Sequence, residues 1–114
     1  GVIVMDETTC MVQALDSAAR FFADESCGQC SPCREGTGWV HRILRRIVNG
    51  QGTVRDLDEL LAVAGDMEGH TICVFADAAA WPVQSYIAKF RDEFEQYITS
   101  GRGADEMEST TCRA

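Results

Sequence analysis

The chain has 114 residues, of which 46% are hydrophobic, with a formal net charge of −8 and six cysteines. That length suits one small domain with a modest core and leaves no room for a separate catalytic domain. The acidic balance, with basic residues concentrated only at Arg42, Arg45 and Arg46, argues against nucleic acid as a partner.

Residues 2 to 5, Val-Ile-Val-Met, form a solid apolar run of the kind found in buried strands. The run is too short, and too soon followed by Asp6 and Glu7, to be a signal peptide, and no segment approaches the roughly 18 apolar residues of a membrane helix. The expectation is a soluble, intracellular chain without membrane insertion. A lone strand has nothing here to pair with, so residues 1–7 are read as the end of a preceding domain and the chain as the C-terminal piece of a longer polypeptide.

Thr8 or Thr9 can cap a first helix, with Val12, Leu15, Ala18, Ala19 and Phe22 on one face, ending near Ala23 or Asp24. Ser31 and Pro32 read as the cap and first residue of a second helix. Its apolar face is Trp39, Val40, Ile43, Leu44, Ile47 and Val48, and Gly50 and Gly52 bracket its stop. Thr53 and Asp56 form a capping box for a third helix that turns Leu57, Leu60, Leu61, Ala64 and Met67 inward and closes at Gly69. The apolar stretch Thr71 to Phe75 should cross the bundle, and Pro82 should start a fourth helix with Val83, Ile87, Phe90, Phe94 and Ile98 buried. From Thr99 the composition turns to Ser, Thr, Gly and acidic residues, so 99–114 is read as a disordered tail. The fold class is therefore all-α: a four-helix, largely antiparallel bundle over residues 8–98, with a loop between the first and second helices.

That loop carries Cys27, Cys30 and Cys33, and Cys73 lies far downstream. Thiols repeating every third residue cannot all pair as disulfides, because the rings are strained and one sulfur is always left over. They can all turn toward one metal cluster. Gly28 allows backbone that a Cβ would oppose, and Pro32 fixes φ just before the third cysteine. Three thiolates from the loop and one from elsewhere make four ligands, one for each iron of a [4Fe-4S] cluster, and the spacing is that of ferredoxin-type sites. A zinc site held by four cysteines is the chemical rival, but such sites divide their cysteines two and two rather than three and one. A disulfide framework does not explain the run. Cys10 reads as a small buried hydrophobe, Cys112 as a free thiol and His41 as a hydrogen-bonded structural histidine. Trp81 and Phe75 are assigned to the core.

Around these cysteines, Glu25-Ser26-Cys27-Gly28-Gln29-Cys30-Ser31-Pro32-Cys33-Arg34-Glu35-Gly36-Thr37 resembles the E-S-C-G-x-C-x-P-C-R-x-G signature of the NADH-binding flavoprotein subunit of respiratory complex I. The likeness extends to Val2 through Cys10, to Gly69-His70-Thr71-Ile72-Cys73 and to Asp77 through Val83, and so covers most of the chain up to Ile98. Ala76 stands where the pattern has glycine. The resemblance implies a C-terminal helical domain of an NADH:quinone oxidoreductase, with one [4Fe-4S] cluster on Cys27, Cys30, Cys33 and Cys73. By the same resemblance that cluster accepts single electrons from NADH-reduced FMN. FMN and NADH would sit in the preceding domain of the same subunit, since no glycine-rich motif for them occurs here. The implied partners are that domain and other iron-sulfur subunits, and the implied location is cytoplasmic or the cytoplasmic or matrix-side arm of a membrane complex. Related subunits of NAD-linked hydrogenases and formate dehydrogenases share the cysteine pattern, which leaves a diaphorase role as one alternative; a non-catalytic zinc-binding interaction module is the other. Arg34, next to a ligand, and His70 are candidates for favouring the reduced cluster, and His70 could equally cap a helix end.

Overall fold

Apolar residues recurring at helical spacing bury one stripe per segment, and a computed structural model, which describes residues 1–101, forms four α-helices from them. These are α1 (Met11–Glu25), α2 (Ser31–Val48), α3 (Arg55–Met67) and α4 (Phe75–Thr99). Short connections fold each helix back on the one before it, α1 also packs against α4, and α2 and α4 touch across the middle. The result is an all-α, largely antiparallel bundle. Its core takes Val12 and Leu15 from α1, Val40, Ile43, Leu44 and Ile47 from α2, Leu57, Leu60 and Met67 from α3, and Val83, Ile87 and Phe94 from α4.

The ends of these helices differ from the sequence expectation in instructive ways. The cap of α1 is Cys10 rather than a threonine: its buried Sγ accepts the Gln13 N–H at 3.5 Å, while Thr8 is drawn back to Asp6, whose Oδ1 accepts its N–H at 3.0 Å. Helix α2 starts one residue early, with Cys30 at the cap position and Pro32 still inside the first turn, where a missing N–H costs nothing. Half of the expected capping box ahead of α3 is present, since Asp56 Oδ2 accepts the Thr53 N–H at 2.9 Å. Pro82 does not start α4 but lies within it. The alanine run before it favours helix, and burying Ala76, Ala79, Ala80 and Val83 offsets the backbone bond that proline cannot make. The helix breaks instead at Phe90, whose backbone leaves helical geometry.

Exposure sets several other residues apart. Residues 2 to 5 have no strand partner among the described residues, and Val2 and Val4 are each 92% exposed, because a strand needs a neighbouring edge. The segment before α4 does not cross the bundle; it skirts one end with Ile72 and Val74 in solvent. Trp39 and Trp81 are about half exposed rather than core, and the Trp81 indole donates to Glu68 Oε1 at 2.9 Å. His41 is not hydrogen-bonded through Nε2, which faces Asp16 Oδ1 at 3.9 Å while Arg45 holds the other carboxylate oxygen at 2.9 Å. The expectations for the tail beyond residue 101, and for Cys112, lie outside the described residues.

Candidate metal centre

Two connections meet at one end of the bundle. The first, residues 26 to 30, leaves α1 and enters α2; the second, residues 68 to 74, joins α3 to α4. Gly28 adopts φ +80°, a left-handed conformation that costs other residues about 1–2 kcal/mol, and so lets the first connection turn sharply between Cys27 and Cys30. Gly69, at φ +75°, reverses the chain after α3, and its N–H is taken by Asp77 Oδ1 at 2.8 Å. Across the gap the Ile72 N–H points to Cys30 Sγ at 3.5 Å, so the two connections touch through sulfur.

Between them lies a cavity of about 170 Å³ lined by Glu25, Cys27, Gln29, Cys30, Cys33, Thr71, Cys73 and Phe75. All four cysteines singled out from the sequence therefore share one cavity, and all four are free thiols. They differ in exposure: Cys33 is buried in the first turn of α2, Cys30 is half-buried, and Cys27 and Cys73 stand open to solvent at the rim. Among the described residues no three His, Cys, Asp or Glu side chains converge tightly enough to hold a single metal ion. The sulfurs instead surround a volume many times the roughly 10–15 Å³ that one water needs. A larger groove, about 430 Å³, runs between the N-terminal segment and α4, but no sulfur other than that of Met5 or Met11 lines it.

The chemistry of the lining suits an anionic cluster of several metal atoms. No side chain caps α2, and with Pro32 lacking an N–H and the Arg34 N–H taken by Cys30 O, the Ser31 and Cys33 amides remain at this end of the helix, where the backbone carries a partial positive charge of about +0.5. Arg34 does not line the cavity. Its guanidinium spans the turn from behind, donating to Gly28 O at 2.7 Å and Ser31 Oγ at 3.3 Å while pairing with Glu35 at 3.1 Å. His70 is likewise outside, with Nδ1 at 3.0 Å from Asp66 O and its N–H on Met67 O, so it serves the end of α3. Phe75, assigned to the core from sequence, forms one wall and packs edge-on against Phe22 with ring centroids 5.4 Å apart.

Sequence reasoning missed Ser26. Its hydroxyl lies 3.2 Å from Cys33 Sγ and accepts the Gly28 N–H at 3.3 Å, while its backbone N–H closes α1 on Phe22 O. The available signal was a hydroxyl adjacent to a candidate ligand, but nothing in the linear order says which sulfur it meets.

Residues 13–97 match the family model described as the NADH-ubiquinone oxidoreductase-F iron-sulfur binding region. The chain is 51% identical over 98 residues to the F subunit of NADH-quinone oxidoreductase from Rickettsia typhi, an alignment covering 86% of this chain and 23% of that protein. It is 52% identical over 100 residues to the same subunit from Rickettsia rickettsii, covering 88% and 24%. The chain thus spans about a quarter of the length of the curated relatives it matches. Among solved structures, a chain in the crystal structure of an NAD+-reducing [NiFe]-hydrogenase in the H2-reduced state superposes with a TM-score of 0.79 at 37% identity, over 83% of this chain and 17% of that one.

Proposed function

The chain belongs to the family of NADH-ubiquinone oxidoreductase-F iron-sulfur binding regions, and on that premise we propose that Cys27, Cys30, Cys33 and Cys73 are the four ligands of a [4Fe-4S] cluster. The observation that carries the reading is the common cavity: four thiols from two distant stretches of chain line it together. When bound, the cluster supplies one-electron transfer, from NADH-reduced FMN in a preceding domain toward further iron-sulfur centres in partner subunits of an NADH:quinone oxidoreductase. The residues of this chain hold and bias that group. The Cys27–Cys33 turn provides three thiolates, the α3–α4 connection brings the fourth, and the uncapped amides of α2 favour the negative charge that reduction adds. Ile72 and Val74, exposed beside Cys73, offer an apolar rim where a redox partner can approach.

Among the described residues no helix is long and apolar enough to cross a membrane, which is consistent with a place in the cytoplasmic or matrix-side arm of a membrane complex. A second reading, the diaphorase subunit of an NAD-linked hydrogenase, is favoured by the structural neighbour. The higher identity to the NADH-quinone oxidoreductase subunits weighs toward the first.

The test is analysis of anaerobically prepared protein for iron and acid-labile sulfide, with low-temperature EPR after reduction. About four irons per chain are expected, and Cys73→Ser should lower that content. Iron unchanged by Cys73→Ser would remove the distant ligand from the assignment, and a colourless protein holding zinc would remove the relay.

A further inference from the structure

The four thiols are not equivalent, and the difference concerns one hydroxyl. Cys33 is the most buried of the four, and it is the one met by a side-chain hydroxyl, Ser26 Oγ at 3.2 Å. In a free thiol either atom could donate. Once Cys33 is a thiolate bound to iron the sulfur has no proton, and the hydroxyl must be the donor. Its direction is set from the other side, because the Gly28 N–H occupies an oxygen lone pair at 3.3 Å. Ser26 is held in turn by its own N–H on Phe22 O at the end of α1, so the hydroxyl is carried by one helix and the sulfur by another.

Resting on the cluster reading above, we infer that Ser26 is a positioning residue that raises the reduction potential of the cluster by donating a hydrogen bond to Cys33 Sγ. Reduction adds one electron and places more negative charge on the sulfurs, so a fixed O–H donor binds the reduced form more strongly than the oxidised form. The burial of Cys33 strengthens the effect, since a lower local dielectric makes a hydrogen bond to charged sulfur stronger than it would be in water. The Ile72 N–H near Cys30 acts in the same sense but at 3.5 Å and at an exposed rim, where solvent weakens it.

The experiment is an EPR-monitored redox titration of the chain loaded anaerobically with iron and sulfide, using dithionite as reductant, for wild type, Ser26→Ala, Ser26→Val and Ser26→Thr. Ser26→Ala and Ser26→Val should keep their iron and show about a tenfold smaller equilibrium constant for reduction, which for one electron is a midpoint about 59 mV more negative. Ser26→Thr, which keeps the hydroxyl in the shape of valine, should return the midpoint toward wild type. An unchanged midpoint in fully loaded Ser26→Ala would overturn the inference and leave the cluster reading intact. Loss of iron from the Ala and Val variants, with retention in Thr, would also overturn it by making the hydroxyl an assembly element. A wild-type chain without iron would overturn the cluster reading itself.

Discussion

Arg34 shows how a residue beside a site can serve it without entering it. Its fork ties Gly28 O to Ser31 Oγ, so the turn that carries Cys27 and Cys30 is fastened to the start of α2. The bonds are solvent-exposed, and losing them should cost the fold no more than about 1 kcal/mol. The turn, however, should lose its shape. Arg34→Ala is expected to leave the helical circular dichroism intact while releasing iron to a chelator several-fold faster than wild type. Arg34→Lys should restore this only in part, because an ammonium on a flexible stem cannot span two acceptors as a planar guanidinium does. Equal release rates in all three proteins would make the arginine a surface charge and nothing more. The sequence placed Arg34 next to a candidate ligand and suggested a direct role; its side chain turns to the back of the loop, which only the path of that loop could determine.

At the scale of elements, the connection between α2 and α3 depends on a close approach. A Cβ added at Gly52 would lie 2.6 Å from Ile47 Cγ1 and 2.8 Å from Ile47 Cα, inside the packed end of α2. Since backbone as well as side chain would have to move, Gly52→Ala should destabilise by about 1–3 kcal/mol. Gly65 is the contrasting case: it sits within α3 with open space around its Cα, so Gly65→Ala should stabilise by up to about 1 kcal/mol through helix propensity and a less free unfolded chain. Chemical denaturation of the two variants checks both signs. The sequence marked Gly52 as helix punctuation and singled out nothing at Gly65, because crowding at one and space at the other are properties of packing. The same holds for Pro82. Locally it reads as a start signal, and tertiary burial of the alanine turn before it extends α4 backward.

For the molecule as a whole, Asp56 is a buried charge on which global stability should depend. Burial acts to raise its carboxyl pKa, but hydrogen bonds from the Arg46 guanidinium and the Thr53 amide, with the charge of Arg46, outweigh that and hold it below the ordinary 3.8. A depressed native pKa means that the unfolded chain binds the proton more readily. The stabilisation is therefore fully present above about pH 4 and is lost as pH falls from there through the lower native value. Because Arg46 is about half exposed, the pair is discounted for solvent, and Asp56→Asn should cost about 1–2 kcal/mol at neutral pH. Thermal melts of the two proteins should differ at pH 7 and converge toward pH 3; a constant gap across that range would show that the carboxylate charge is not what matters.

What the linear order determined by itself was the part set by local rules. Helical periodicity depends on residues three and four apart, so Val12, Leu15, Val40, Ile43, Leu44, Leu57 and Leu60 could be assigned to a core without coordinates. The spacing of Cys27, Cys30 and Cys33 named a chemistry because three thiols in one turn cannot all be paired among themselves. Tertiary structure decided what depends on distant pieces of chain meeting: that Cys73 lines the same cavity, that Ser26 reaches Cys33 and not another sulfur, and that His70 serves the end of α3. It also decided which aromatic and aliphatic residues stay in solvent, since Trp39, Trp81 and Ile72 look the same in sequence as residues that are buried. Periodicity tells a side chain which face to join, but the free energy of burying it exists only where another element comes to cover that face.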